Sequence, residues 1–260
     1  MKNCQEWLLA FNQAYDNIMS RKAPGLNPYE ISVFLTDAQE NIVMGLYNGS
    51  FGKPFESEED VSNFLSTLMR QTDMVEVKDG GAQEEGRAAG GHTLTHTCPG
   101  SRIYTLPEGA DEILVKTFES CDIESDCTNA RGEKQYSQAI VVPVTQDEFW
   151  RTRRNPFKRD NACRVLRLTY PSSPKTCGCG GTMTVEKYTE LVSDRDIGKY
   201  TVKYITRPEP IILADLRRDV LCGGLSIRGR WKAQTCLLDD AIHPMILSEA
   251  VRAAKAAWQN

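Results

Sequence analysis

The sequence has 260 residues, 40% of them hydrophobic and 25% charged, which suits a globular protein of one large domain or two small ones. Its formal net charge of −4 argues against a nucleic-acid-binding surface, since such surfaces need clustered lysine and arginine in excess. The first residues carry no secretory signal and no stretch approaches the roughly 20 apolar residues of a membrane span, so we expect a soluble protein with no membrane partner.

Three helical patterns occupy the first third of the chain. In the first pattern, apolar residues recur at helical spacing: Trp7, Leu8, Phe11, Tyr15 and Ile18. The second helix has a strong start, because Asn27 can cap it, Pro28 has its φ preset, and Glu30 can reach back as in a capping box. Asn48-Gly49 closes this helix, and a third helix begins at Ser57. The sequence therefore predicts an N-terminal helical bundle.

Glycine is frequent and apolar residues are few between residues 78 and 101. Such a segment loses too much conformational entropy to pack by itself. It is either a long mobile loop or a β-hairpin that becomes ordered against a neighbour. We therefore expect a flexible arm or loop over residues 73–102.

Strand patterns dominate from residue 103 to about 216. Short β-branched runs cover 113–115 and 139–142, with Pro143 at an edge or strand end, and apolar residues alternate with polar ones over 166–170 and 200–204. A last helix is predicted over about 244–258. The expected fold class is α+β, with an N-terminal helical bundle, a central mostly antiparallel β-sheet and a C-terminal helix. We expect one domain, 1–260, divided into a helical part (1–72), the arm (73–102), a β part (103–236) and the C-terminal helix (237–260).

The Cys and His residues are the candidates for a metal or catalytic site. The nine cysteines fit free thiols better than a disulfide framework, because no signal peptide precedes them. The candidate ligands fall into three sets: Cys177 with Cys179, Cys121 with Cys127, and His92, His96 with Cys98. None reaches four well-spaced ligands, and no serine lies in a nucleophile elbow. His243, at a helix start, is expected to cap or to be exposed. We therefore predict no catalytic residue, metal site or cofactor.

Five cations stand close together in one stretch of nine residues: Arg151, Arg153, Arg154, Lys158 and Arg159. This stretch is either a solvated loop or an interface that docks on an acidic partner and sets its orientation by charge complementarity. Contact with DNA fits poorly with the net negative charge of the chain.

Three blocks of sequence resemble a virion protein of crAss-like phages, which are viruses of gut Bacteroides. They are the helical opening from Phe11 to Gly49, the strand that ends in Arg207-Pro208-Glu-Pro210-Ile-Ile-Leu213, and the closing segment Cys236-Leu-Leu with His243 to Ala254. They cover about a third of the chain, at its two ends and in the right order.

This family is similar to the tail tubular, or adaptor, proteins of podoviruses. The resemblance implies a structural virion protein of the tail or neck, made in the host cytoplasm. It implies a homo-oligomeric ring, a dodecamer, between the portal protein and further tail or ring proteins. The ring would be part of the channel for genome packaging and ejection, with DNA in its lumen and no sequence-specific binding. It implies no catalytic residues.

The segment Arg207-Pro208-Glu-Pro210 has a fixed φ at both prolines, so it is stiff and extended. It would suit the crossing of a subunit boundary in such a ring, and a turn that ends a strand is the alternative. Two other functions remain open: a metal-binding Cys/His enzyme, and a tail interaction protein that forms no ring.

Overall fold

A computed structural model describes residues 3–16, 25–50, 63–77, 96–128, 131–170, 188–218 and 224–259. The chain divides into two compact units. The terminal unit combines residues 1–69 with 207–260, and the central unit is residues 70–206. The first and last of the expected parts thus fall into one unit.

The helices are α1 (Cys4–Asp16), α2 (Pro28–Tyr47), α3 (Gln146–Arg154) and α4 (His243–Gln259). The strands are β1 (Met69–Asp73), β2 (Val75–Glu76), β3 (Arg102–Thr105), β4 (Ile113–Thr128), β5 (Lys134–Pro143), β6 (Arg164–Tyr170), β7 (Tyr188–Val192) and β8 (Ile197–Thr206). Two 3-10 turns cover Ser66–Leu68 and Asp240–Ile242.

The capping box predicted for α2 is confirmed. The Asn27 side chain accepts a hydrogen bond from the backbone N–H of Glu30 at 2.8 Å, and the Glu30 carboxylate accepts one from the N–H of Asn27 at 2.9 Å. Helix α2 ends before Asn48, and Gly49 has a φ of 71°, as the predicted closure requires. A second capping box, formed by Asn3 and Glu6, starts α1.

The helices of the terminal unit come from both ends of the chain. Both α1 and α2 contact α4, and the Lys255 ammonium donates to the carbonyl oxygen of Ala14 at 3.2 Å in the last turn of α1. The apolar faces are buried, including Trp7 and Phe11 of α1 and Ile246 of α4. The third predicted helix begins at Ser57, outside the described residues, and its described part is helical over residues 63–65 and continues as the 3-10 turn Ser66–Leu68. A bundle made by the N-terminus alone stays a prediction.

The described strands of the central unit form one sheet in the order β1-β8-β4-β5-β6-β7-β3-β2. Neighbouring strands pair antiparallel except β5 and β6, which are parallel. A parallel pair needs a crossover connection, and α3 supplies it. The mostly antiparallel central sheet and the C-terminal helix are confirmed. The sheet begins at residue 69 and takes in β2, earlier than the expected start at 103, and residues 78–95 of the expected arm lie outside the described residues.

The main core lies on the face of the sheet opposite α3. It contains Cys121, Ile123, Ala139, Leu191 and Tyr200, among others. A smaller core forms beneath α3, where Phe149 packs on Leu166, Leu168, Val192 and Cys98. Helix α3 therefore packs over strands β6 and β7, on the face of the sheet opposite the main core.

Candidate functional site

The cysteines and histidines do not converge in the part of the chain that is described. Cys177, Cys179 and His92 lie outside the described residues. Among the residues that the structure does describe, no group of three or more His, Cys, Asp or Glu side chains is arranged to hold a metal ion. The six cysteines in this part are free thiols, and burial raises the pKa of Cys121 to about 12 and that of Cys236 to about 11.

His243 is buried, so the expected exposure is wrong, whereas its backbone N–H caps the preceding 3-10 turn by donating to the carbonyl oxygen of Asp240. One ring nitrogen lies 3.1 Å from the carbonyl oxygen of Leu238, and the ring centroid lies 5.1 Å from that of Trp7. The imidazole therefore joins the start of α4 to α1 within the terminal unit, as a packing residue.

A buried carboxylate organises the loop before β3. Glu190 of β7 accepts a hydrogen bond from the backbone N–H of Thr97 at 2.7 Å and further bonds from the hydroxyls of Thr97 and Ser101. His96 lies 3.0 Å from the Ser101 hydroxyl. Because both oxygens of Glu190 are occupied by loop donors, this cluster fixes the loop on the sheet.

A second buried polar cluster lies where β4 and β5 separate. Glu119 forms ion pairs with Lys116 at 3.0 Å and Arg167 at 3.2 Å, and it accepts a hydrogen bond from the Tyr200 hydroxyl. Burial and the nearby Glu119 charge raise the pKa of Tyr200 well above its ordinary value. The charges pair with one another inside the chain, so removal of any one partner would leave a largely buried charge without its counter-ion.

The predicted basic stretch forms the end of α3 and the turns after it. Arg151, Arg154, Lys158 and Arg159 are exposed. Arg151 pairs with Glu148 one helical turn away, at 2.6 Å. Acidic residues in the first turn of α3 and arginines in its last turn match the helix dipole.

Arg153 differs from the other four cations, because it turns toward the protein. Its Nε lies 3.7 Å from Oδ1 of Asp160, a carboxylate that is 1% exposed. Burial raises the pKa of Asp160, the neighbouring Asp194 adds to this rise, and Arg153 opposes it. Arg153 therefore anchors the turn inside the central unit.

The segment Arg207–Pro210 lies against α2 in the terminal unit. Both Pro208 and Pro210 are buried there. Glu40 of α2 pairs with Arg207 at 3.2 Å and with Arg228. The segment thus has contacts within its own chain, and its role at a subunit boundary stays a prediction.

The backbone beyond this segment is also bound to α2. The Ile211 N–H donates to the Thr36 hydroxyl at 3.1 Å, and the Leu213 N–H donates to the buried Ser32 hydroxyl at 3.0 Å. Through these two side chains α2 forms hydrogen bonds with the backbone of residues 211–213, which belong to no helix or strand.

Several large apolar side chains are exposed on the α3 side of the sheet, and the sequence reading did not single them out as a site. Phe118 and Ile140 flank a groove of about 500 Å³ between β4 and β5, and Ile140 is 69% exposed. Trp150 and Phe157 are exposed in the basic stretch, Phe157 to 86%. The sequence signal that could have identified Phe118 and Ile140 is their position in the alternating pattern of their strands. Both lie at the positions that alternate with the buried residues, where polar side chains are expected.

None of the helices within the described ranges combines the length and the apolarity that crossing a membrane requires.

A family model described as phage tail ring protein 3/4 matches residues 2–260. Ring protein 3 of Bacteroides phage crAss001 is 31% identical to the chain over 232 residues, which are 88% of this chain and 84% of that protein. Ring protein 4/5 of the same phage is 33% identical over 258 residues, 99% of this chain and 94% of that protein. These matches confirm the resemblance to a crAss-like phage protein, and the chain belongs to the phage tail ring protein 3/4 family, which consists of structural ring proteins of bacteriophage tails.

Proposed function

We propose that copies of this chain form a closed homo-oligomeric ring between the portal and the rest of the tail, without enzymatic activity. The observation that carries the proposal is the similarity to two crAss001 proteins named as ring proteins, at 31% and 33% identity over most of the chain. Similarity that extends from end to end supports the same kind of assembly, because it includes the surfaces that subunits use as well as the core.

The ring subunit acts mechanically in this proposal. It passes the genome through a lumen during packaging and ejection, and its weak negative charge suits a channel that does not bind DNA tightly. The two polar clusters around Glu190 and Glu119 are paired within the chain, so we assign them a structural role. Twelve copies are the expected number.

The experiment that tests the proposal is native mass spectrometry of the purified chain, alone and with its portal protein, together with electron microscopy of the complex. A ring of twelve copies bound to the portal is the expected result. A chain that stays monomeric with the portal present would refute the ring. Elemental analysis for zinc is an independent check, and stoichiometric zinc would favour the metal-binding alternative.

A further inference from the structure

Five of the six large apolar side chains that are exposed in the described part of the central unit lie on one face, and Val75 of β2 is the sixth. In the β4–β5 ladder Ser120 is opposite Ile140 and Glu124 is opposite Tyr136, so Ile140 and Tyr136 point to the same side as Phe118. The alternate positions, Cys121, Ile123 and Ala139, are buried in the core on the other side.

Helix α3 continues the same face. Phe149 packs on Val142, which is two residues after Ile140 in β5 and so lies on the same side of the sheet. The exposed Trp150 ring lies 5.1 Å from the ring of Phe149. We call the surface of Phe118, Tyr136, Ile140, Trp150 and Phe157 the β4–β5–α3 face.

Phe157 is held on this face by hydrogen bonds of its backbone. Arg164, which is beside Ile140 in the register of β5 and β6, donates to the carbonyl oxygen of Phe157 at 2.7 Å. The N–H of Phe157 donates to the Asn155 side chain at 2.9 Å. A ring that is 86% exposed is therefore presented on an ordered turn, which lowers the entropy cost of docking it.

The five side chains of this face expose an area large enough for a specific contact. Their exposed fractions together equal about three whole aromatic side chains, or on the order of 600 Å² at roughly 200 Å² each. The stems of the neighbouring arginines bring this toward the ~800 Å² per partner of a standard interface. The largest apolar patch on a typical monomer is about 300–600 Å² and is often functional, so this face is large enough to be an interaction site.

The charged rim of the face indicates the chemistry of its partner. Arg151, Arg154, Lys158 and Arg159 are exposed in the same helix end and turn as Trp150 and Phe157, with Glu148 paired to the first of them. A surface that carries exposed aromatic rings beside a cluster of cations fits an acidic partner surface.

An acidic turn of suitable character lies before β4 in the same unit. Glu108, Asp111 and Glu112 are all exposed in the turn of residues 107–112, where Arg70 pairs with Asp111 at 3.3 Å. The turn is ordered, since the N–H of Ala110 donates to the carbonyl oxygen of Pro107 at 3.2 Å. We call this segment the 107–112 turn.

We infer that the β4–β5–α3 face of one subunit docks on the 107–112 turn and adjoining surface of the next copy of this chain. This inference rests on the proposed ring. In a ring each subunit must offer two different, complementary surfaces to its neighbours, and the cationic face and the acidic turn form such a pair. The apolar centre supplies affinity, and the charges fix the orientation.

Charge exchange between the two surfaces tests the pairing. One variant carries Arg154→Glu and Arg159→Glu, a second carries Glu108→Arg and Glu112→Arg, and a third carries all four substitutions. Each is compared with the wild type by sedimentation velocity over a range of concentrations, with and without the portal protein. A matched control for the first variant, Arg218→Glu with Lys232→Glu, makes the same change of net charge at exposed positions of the terminal unit.

The two-site variants should each raise the concentration needed for half-assembly at least tenfold. The four-site variant should return it to within about threefold of wild type, because every contact in its ring again pairs opposite charges. Phe157→Ser should also raise it about tenfold while leaving the stability of the subunit unchanged, since the ring of Phe157 is largely exposed.

Failure of this inference can be separated from failure of the proposed function. Rings that form normally in both two-site variants would overturn the pairing and leave the proposed function intact. A four-site variant as defective as the two-site variants would also overturn it, and would indicate a partner other than a second copy. A wild-type chain that forms no ring even with its portal would overturn both.

Discussion

At Arg228 the backbone conformation lowers the stability of the protein and the side-chain contacts raise it. Its φ is 51°, and Gly229 after it has a φ of 75°. The flanking residues, Ile227 and Arg230, exchange backbone hydrogen bonds of 2.9 and 3.0 Å, so the four residues form a tight hairpin turn. Two successive positive φ angles favour Asn-Gly, and an arginine in this conformation costs about 1–2 kcal/mol.

The Arg228 side chain offsets this cost through its contacts in the terminal unit. The guanidinium pairs with Glu40 and donates to the carbonyl oxygen of Pro208 at 3.4 Å. Hydrogen bonds to charged groups contribute about 1.5–3 kcal/mol. The Arg228 side chain is 26% exposed and Glu40 keeps Arg207 as a partner, so we take about 1.5 kcal/mol for this contact.

Substitution by alanine and by glycine separates the two effects. Arg228→Ala loses the contact and keeps the backbone strain, so it should lower the free energy of unfolding by about 1.5 kcal/mol. Arg228→Gly loses the contact and relieves the strain, so it should be about 1 kcal/mol more stable than the alanine variant. Urea unfolding, followed by tryptophan emission, gives both values.

The order of the two variants decides whether the reasoning is right. At a position with ordinary φ, glycine is less stable than alanine by roughly 0.5–1 kcal/mol. Arg218 provides this control, because it is exposed and is not among the positive-φ residues. If Arg228→Gly has a lower free energy of unfolding than Arg228→Ala, which is the order expected for Arg218→Gly and Arg218→Ala, the backbone strain at residue 228 is absent in solution.

Three further changes test close packing and buried polar groups within the two units. Gly198→Ala places a Cβ 2.6 Å from the Tyr136 ring, so it should lower the free energy of unfolding by about 1–2 kcal/mol, and Tyr136→Ala should remove most of that loss in a double-mutant cycle. Asp160→Asn should raise Tm at pH 8, because burial raises the pKa of Asp160 and its ionised form is therefore disfavoured in the folded protein. That penalty is absent below the unfolded pKa of about 3.9 and grows as the pH rises through the folded pKa, so the gain in Tm of Asp160→Asn should vanish in acid. A lower Tm of the variant at pH 8 would show that the ion pair of Asp160 with Arg153 outweighs the cost of burial. Ser32→Ala removes a buried hydroxyl that accepts from a backbone N–H and should cost about 1–3 kcal/mol by urea unfolding, while Ser248→Ala at an exposed site should change it by less than about 0.5 kcal/mol.

Local signals predicted the helices well. The box of Asn27 and Glu30 determines where α2 starts through two short-range hydrogen bonds, and Gly49 ends it with a positive φ. Neither depends on the rest of the fold, so both can be read from a few neighbouring residues. The alternation around Val202 likewise predicted β8, since Tyr200, Val202 and Tyr204 are buried and the residues between them are more exposed.

The sequence did not single out β7, because all five of its residues are buried and one of them is a glutamate. Glu190 is hidden only because Thr97 and Ser101, about 90 residues earlier in the chain, supply its donors. Such long-range satisfaction of a buried charge leaves no pattern in the strand itself. The pairing of α2 with residues 211–213 is equally non-local.

The candidate site was visible in sequence only through its charges. The five clustered cations were predicted as a possible interface, and the structure places four of them in exposed positions and turns Arg153 inward to Asp160. Phe157 and Ile140 were not singled out, because exposed apolar residues become informative only when the topology shows that they share a face. The sheet order that brings β4, β5 and α3 together could not be read from one sequence.

The division into two units has a consequence for folding during synthesis on the ribosome. All described strands of the sheet lie within residues 69–206, so the central unit can complete its pairing as soon as that stretch has emerged. Helices α1 and α2 are made first, yet the segment that hydrogen-bonds to Thr36 and Ser32 follows 175 and 181 residues later, a wait of roughly 10–35 s at common translation rates. During that time their apolar faces are open to chaperones and to sister chains, so the first part of the subunit to be synthesised is the last to be sheltered.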